Sequence, residues 1–160
     1  MEATLLYILA AVTLIGTLCA ITARQAVRAI VYLVTSFFAL ALIFYLLGAP
    51  LIAAFEVIIY AGAIMVLFLF VIMMLDLGHP EKASRPGSRD WWPALLFGAI
   101  TLGAALSLFA GHPHSLAAGA SFGIRDFATT LFQRYGIAVE VISMQLLFAL
   151  VGALYLGRRR

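Results

Sequence analysis

Residues 50–77 read PLIAAFEVIIYAGAIMVLFLFVIMMLDL, an apolar stretch in which Glu56 is the only charged residue before Asp76. At a rise of about 1.5 Å per residue, a straight α-helix of this length would extend about 42 Å, which exceeds the roughly 30 Å of a bilayer core. The only run of three small residues in the stretch is Ala61, Gly62 and Ala63. The stretch therefore predicts a membrane-spanning helix in which tilt, local overwinding or a broken segment absorbs the excess length.

Glu56 begins a set of residues at α-helical spacing, which continues with Tyr60, Ala63 and Leu67. On an α-helix these residues share one face, so a carboxyl and a phenol lie one turn apart. Because an ionisable side chain inside a span is costly, we expect this face to contact another helix or a water cavity rather than lipid. Two roles remain open for Glu56: a proton relay, or an anchor near the positive end of the helix dipole.

The composition of the chain is that of an integral membrane protein. Of its 160 residues, 65% are hydrophobic and 11% are charged, whereas soluble domains have about 25% charged residues. Long unbroken apolar runs indicate helices rather than a barrel. We predict an all-α membrane protein, a single integral membrane domain over residues 1–160 with five transmembrane helices and one amphipathic surface helix between helices 4 and 5. The predicted spans cover approximately residues 3–22, 27–47, 50–77, 92–110 and 137–156.

The basic residues predict the orientation of these spans. The net charge of +3 comes from ten Lys and Arg residues that cluster outside the apolar runs, which indicates membrane topology rather than nucleic-acid binding. With five spans, eight of the ten lie on one side, in the first and third connections and after the last span. The positive-inside rule then places the N-terminus outside, in the periplasm, and the C-terminus in the cytoplasm.

Helix contacts are predicted from small and hydroxyl residues. Gly16 and Ala20, four residues apart, allow close approach of another helix. The hydroxyls of Thr35 and Ser36 are expected to bond backbone carbonyls within the second span. The uncharged turn over residues 48–50 is so short that the second and third spans must be antiparallel neighbours.

The segment before the fifth span has apolar residues at helical spacing. They are Ile124, Phe127, Ala128, Leu131, Phe132 and Tyr135. Arg125, Asp126, Thr129, Thr130, Gln133 and Arg134 occupy the other face. This pattern predicts an amphipathic helix on the membrane surface or on a partner subunit. Glu140 follows near the start of the fifth span, where water and the helix dipole can hold its charge, so we expect a structural or tuning role for it.

The motifs of enzyme chemistry are missing from the sequence. It contains no glycine-rich phosphate loop, cysteine cluster, HExxH motif, or nucleophile with a nearby general base. Cys19 is the only cysteine, and His112 and His114 flank a proline in a turn-like segment, so a metal site is not expected. No catalytic, cofactor-binding or metal-ligating residue is therefore assigned. The remaining classes are a channel or transporter component, a scaffold, or a membrane subunit of a larger assembly, which the short loops favour.

One family has this pattern of residues. EVIIYAGAIMVLFLFVIMML, residues 56–75, closely resembles the third helix of the subunit J family of bacterial NADH:quinone oxidoreductase, respiratory complex I, the counterpart of mitochondrial core membrane subunit 6. The similarity extends to RAIVYL from residue 28, to parts of the surface helix, and to Glu140 with the later LLFALVGALYL. The segment GIAVE, from residue 136, departs from relatives that often have a proline next to the glutamate.

The resemblance implies a five-helix membrane-arm subunit in the bacterial inner membrane, where it is surrounded by phospholipid and packed against subunits K, H, A and N. In that family the third helix is thought to contain a π-bulge, at positions that match Tyr60 and Gly62, and to rearrange as quinone reduction is coupled to proton pumping. FMN, the iron–sulfur clusters and quinone belong to other subunits, so this chain would carry no redox chemistry and bind no cofactor.

A gate in the third helix is our working hypothesis for the mechanism. A π-bulge at the small-residue run would allow the helix to switch between two forms and rotate residues 60–68 against a neighbour, which opens or closes a water path. The residues proposed for the gate or proton path are Glu56, Tyr60, Gly62, Ala63, Met65, Phe68 and Glu140. The alternatives are a small membrane subunit of a multisubunit cation/proton antiporter and a purely structural subunit.

Overall fold

The computed structural model describes residues 2–23, 25–75, 92–110 and 124–158, and every regular element in these ranges is a helix. The helices are α1 (Glu2–Thr22), α2 (Ala26–Leu46), α3 (Pro50–Met74), α4 (Trp92–Ala110), α5 (Ile124–Arg134) and α6 (Gly136–Gly157). The all-α prediction is confirmed for this part of the chain. Four helices, α1, α2, α3 and α6, are long and apolar enough to cross a membrane, and a shorter apolar helix covers Trp92–Leu108.

The helices form two compact units, one with α1 to α4 and one with α5 and α6. The core of the first unit contains apolar side chains from three helices. They are Leu9 and Val12 of α1, Ala39 and Leu46 of α2, and Ala104 of α4. Tyr32 of α2 also meets Phe97 of α4 edge to face, with ring centroids 6.4 Å apart. The predicted fourth span therefore contributes to the core of this unit.

α1 and α2 pack closely at Gly16, where a close approach was predicted. A Cβ atom added to Gly16 would lie 3.3 Å from the Cβ of Ser36 and 3.5 Å from the carbonyl oxygen of Tyr32, so the close approach predicted for this glycine is confirmed. Thr35 donates to the carbonyl of Val31 at 2.8 Å, as expected. The expectation for Ser36 is wrong, because its hydroxyl lies 3.2 Å from that of Thr17 on α1.

The turn between α2 and α3 has the geometry of a Schellman motif. Gly48 has a φ of 80°, a left-handed conformation that favours glycine. Its N–H donates to the carbonyl of Tyr45 at 3.1 Å, and the N–H of Ala49 donates to that of Phe44 at 3.0 Å. Pro50 then begins α3 at a position where a helix needs no amide hydrogen. The turn returns α3 against α2, as predicted.

Some predicted features fall outside this description. α3 ends at Met74, and Leu75 is extended with ψ of 93°, whereas the last two residues of the predicted third span lie outside the described residues. The two loop histidines, His112 and His114, also lie outside them. The other predicted span boundaries agree with the helix ends to within one or two residues.

A candidate site in the third helix

α3 is not a uniform α-helix. It consists of an α-helical turn over Pro50–Phe55, a π-helix of nine residues over Glu56–Ile64, and an α-helix over Met65–Met74. At the end of the π-helix the N–H of Met65 donates to the carbonyl of Tyr60, five residues earlier. A π-type insertion around Tyr60 and Gly62 is thus confirmed. It is also longer than the single turn in which such insertions occur most often.

The spacing of the buried residues along α3 changes where the helix changes from α-helical to π-helical winding. They are Ala53, Glu56, Ala61 and Met65, which are separated by steps of three, five and four. The step of five falls within the π-helix, because i→i−5 bonding adds a residue to the turn. The predicted common face is therefore wrong: of its members only Glu56 is buried, while Tyr60 is 46% exposed and Leu67 is 62% exposed. Ala63 is exposed as well.

Glu56 is the first residue of the π-helix and only 8% exposed. The π-helix that it begins packs against α2. An acidic group with this little exposure in an apolar bundle is energetically costly and is usually retained for function. The prediction that Glu56 faces a neighbouring helix rather than lipid agrees with this burial.

Tyr60 contacts α2 through its ring. Its centroid lies 5.6 Å from that of Phe37, with the two planes tilted by 47°. Such an arrangement of two aromatic rings is favourable by about 0.5–1.5 kcal/mol beyond the area it buries. The carbonyl of Tyr60 also accepts the i→i−5 bond from Met65. The ring contact therefore holds the π-helix against α2 at the residue where this bond is made.

Gly62 is a position where a side chain would disturb the π-helix. A Cβ atom added there would lie 3.2 Å from the carbonyl oxygen of Val57, five residues earlier. That carbonyl comes so close because π-helical winding turns it toward position 62. A glycine therefore suits this point of the segment, which agrees with the predicted use of the small-residue run.

An open apolar groove of about 380 Å³ lies beside the start of the π-helix. Its lining comes from three helices: Ala41, Leu42, Tyr45, Pro50, Ala53, Ala54, Val57, Ile58 and Leu108. Sequence reasoning missed this groove, because it depends on which small side chains of α2 and α3 face each other. The only signal was the presence of Ala41, Ala53 and Ala54 in otherwise bulky apolar segments.

The remaining site candidates divide between the two units. Met65 is 7% exposed and directed into the first unit, whereas Phe68 is 54% exposed. Glu140 is exposed and belongs to the second unit, one turn into α6. In the described ranges, no three His, Cys, Asp or Glu side chains come together in a way that could hold a metal ion. The other six candidates lie on one helix but not on one face: Glu56 and Met65 are buried, and Tyr60, Gly62, Ala63 and Phe68 are exposed.

Comparison with known proteins identifies relatives along almost the whole chain. The model of the family NADH-ubiquinone/plastoquinone oxidoreductase chain 6 matches residues 16–156. NADH-quinone oxidoreductase subunit J of Pseudomonas aeruginosa is 38% identical over 159 residues, which cover 96% of this chain and 95% of that protein. The subunit J of Escherichia coli strain K12 is 40% identical, over 95% of this chain and 84% of its own length.

A more distant relative has the same name and a similar extent. NADH-quinone oxidoreductase subunit J of Buchnera aphidicola subsp. Schizaphis graminum is 33% identical over 96% of both chains. All of α3, including its π-helix, lies within the segment that the family model matches. The chain therefore belongs to the family of NADH-ubiquinone/plastoquinone oxidoreductase chain 6 and is similar to subunit J of bacterial NADH-quinone oxidoreductase.

Proposed function

We propose that this chain is a membrane-arm subunit of a proton-translocating NADH:quinone oxidoreductase in the bacterial inner membrane, and that α3 couples quinone reduction to proton pumping by changing its conformation. The observation that carries the proposal is the π-helix over Glu56–Ile64, whose first residue is a buried glutamate in a helix long and apolar enough to cross a membrane. π-Helical insertions are found frequently at functional sites. The family membership supports the assembly in which this helix would act.

The proposed motion is a conversion between π-helical and α-helical winding. Because a π turn holds one residue more than an α turn, loss of one such turn rotates the following helix by about 100°, the angular step of one residue. On that following helix Phe68 lies about 60° around the axis from Met65. The rotation would carry Met65 out of the interior and bring Phe68 toward it, which changes the side chains that border a water path.

Free volume beside the segment supports a helix that can move. Packed protein interiors resist displacement, because few voids are larger than a water molecule. The groove of about 380 Å³ includes Val57 and Ile58 of the π-helix in its lining, so these side chains have space on one side. The ring of Tyr60 packs on Phe37 and would act as the point around which the segment turns.

In this proposal the chain has five transmembrane helices, with α4 as the fourth, and its N-terminus is in the periplasm. Subunits K, H, A and N of the complex are its neighbours, and they or other subunits hold FMN, the iron–sulfur clusters and quinone. Glu56 and Tyr60 border the proton path beside Gly62 and Ala63. Glu140, which is exposed one turn into α6, tunes the path without being an obligatory relay.

The experiment that tests the gate is a pair of cryo-electron microscopy maps of the intact complex, one at rest and one during turnover. We expect the N–H of Met65 to bond the carbonyl of Tyr60 in one map and that of Ala61 in the other. An α-helix that is unbroken from Glu56 to Phe70 in both maps would contradict the gate. An identical π-helix in both maps would contradict it too, and would leave α3 as a scaffold.

A further inference from the structure

The junction between α5 and α6 fixes α5 at the edge of the membrane. Only Tyr135 separates the two helices, with φ of −118° and ψ of 21°. Its N–H donates to the carbonyl of Leu131 at 3.0 Å, and its carbonyl accepts from the N–H of Val139 at 3.1 Å. The 22 apolar-rich residues of α6 extend about 33 Å, the thickness of a bilayer core. Since α6 uses its whole length to cross, α5 ends at the level of the lipid headgroups.

The residues of α5 are arranged around its axis as on an interfacial helix. At about 100° per residue, Ile124, Phe127, Ala128, Leu131 and Phe132 fall within an arc of about 140°. Arg125 lies just beyond one edge of this arc and Arg134 just beyond the other, while Asp126 lies almost opposite its centre. Two arginines that border an apolar face, with the acidic residue far from it, complement a layer of phosphates above hydrocarbon.

Part of this apolar face remains uncovered. α5 packs on α6 within the second unit, and Phe127, Ala128 and Leu131 are half-buried there. Ile124 is still 72% exposed and Phe132 is 66% exposed. These two apolar side chains are left to be covered by lipid or by another chain.

We infer that α5 is a phospholipid-binding helix that lies in the headgroup layer, with Ile124 and Phe132 among the upper acyl groups and with Arg125 and Arg134 on lipid phosphates. The arginines at both edges of the apolar face favour lipid over a protein partner, and the bonded junction places the end of α5 beside a helix long enough to span. Arginine suits both requirements, because its aliphatic stem covers apolar surface while its guanidinium donates two hydrogen bonds to one phosphate. This inference does not depend on a gate in α3.

The test measures the surroundings of two neighbouring positions in the intact complex. An environment-sensitive fluorescent amino acid is introduced genetically at Phe132 or, as the matched control, at Gln133 on the polar face. The complex is purified into nanodiscs of phosphatidylcholine and phosphatidylglycerol, with bromine on carbons 6 and 7 of the acyl chain. We expect bromolipid to quench the probe at 132 at least twofold more than at 133, and aqueous iodide to do the reverse.

Two results would overturn the inference. If neither bromolipid nor iodide quenches the probe at 132, a protein subunit covers this face. If iodide quenches both positions equally, α5 is in water. The arginines are tested in the same assay with the double variant Arg125→Gln/Arg134→Gln, which should lose at least half of the bromolipid quenching at 132, whereas Arg158→Gln should not. Unchanged quenching in the double variant would show that the arginines do not hold the helix on lipid phosphates.

Discussion

Glu56 and Glu140 both lie within helices that are long and apolar enough to cross a membrane, and their surroundings differ. Glu56 is 8% exposed and begins a π-helix. Glu140 is exposed in its unit and lies in the first turns of α6. The positive end of a helix dipole stabilises an anion by about 0.3–1 kcal/mol. That contribution is small, so Glu140 is easily replaced, whereas Glu56 is buried where the π-helix packs against α2.

Glu140→Gln should leave substantial activity. If the interaction lost is that with the helix dipole, about 1 kcal/mol at most, coupled turnover falls by no more than about fivefold. The measurement is NADH:quinone turnover together with proton uptake in proteoliposomes that contain the variant complex. A variant that assembles normally but has lost all pumping would show that Glu140 is an obligatory part of the proton path.

Glu56→Gln should reduce proton pumping by more than about fivefold, the limit set by a dipole anchor alone. Glutamine retains the size of the side chain and its burial but cannot ionise, so a relay is lost while an anchor is only weakened. NADH oxidation with an artificial acceptor serves as the control, because it reports on redox subunits and should be unchanged. Pumping within fivefold of the wild type would favour the anchor role of Glu56.

Gly62→Ala should shift α3 toward regular α-helical winding. The added Cβ would lie 3.2 Å from the carbonyl oxygen of Val57, so this carbonyl must move by a few tenths of an ångström. Gly103→Ala is the matched control, since a Cβ there has no neighbour within 4 Å among the described residues. In a map of the Gly62→Ala complex, the N–H of Met65 should donate to the carbonyl of Ala61. Quinone-coupled turnover should fall in this variant and not in Gly103→Ala.

At the scale of elements, the pairing of α1 with α2 includes a polar contact among apolar ones. The hydroxyls of Thr17 and Ser36 lie 3.2 Å apart, and Ser36 is 3% exposed. A double-mutant cycle with Thr17→Val and Ser36→Ala should give a coupling free energy of about 0.6 kcal/mol, the average for hydrogen bonds between membrane helices. Thermal unfolding of the complex in detergent provides the measurement, with Thr22→Val, an exposed hydroxyl bonded to its own helix, as the control.

The positions of the helices could be predicted from the sequence because apolar runs of about 20 residues end at charged residues or at glycine and proline. The close approach at Gly16 could be predicted as well, since a residue without a side chain permits it regardless of the neighbour. The partner of Ser36 could not, because a hydroxyl bonds equally well to its own helix and the choice depends on the register between α1 and α2.

The face of α3 was the largest error, and its cause is physical. A carboxyl and three residues at α-helical spacing share a face only if every turn is α-helical. The excess length of the third span and the small residues from Ala61 to Ala63 predict an interruption of the α-helix. Neither feature predicts how many residues the interruption includes. The nine residues of the π-helix therefore shift the buried positions to Ala61 and Met65, which the α-helical pattern did not select. The burial of Glu56 was correctly predicted, because the cost of exposing an ionisable group to lipid does not depend on periodicity.

At the scale of the whole molecule, the predicted orientation rests on the basic residues, because five spans would place eight of the ten on one side. A reporter that is active only outside the cytoplasm should be silent when fused after Arg160 and active when inserted near Ala118. Immunoblotting of each fusion is the control, because it shows whether an inactive reporter has been expressed. The opposite pattern of activity would reverse the orientation of every helix.

The closed turn between α2 and α3 has a consequence for biogenesis. Leu47, Gly48 and Ala49 carry no charge, their three N–H groups all donate to carbonyls of α2, and Pro50 has no N–H to satisfy. In the proposed orientation this tip must be translocated to the periplasm. Since little polar backbone has to lose its hydration, the two helices can enter the lipid together as a preformed hairpin, and their insertion needs no separate step for the loop.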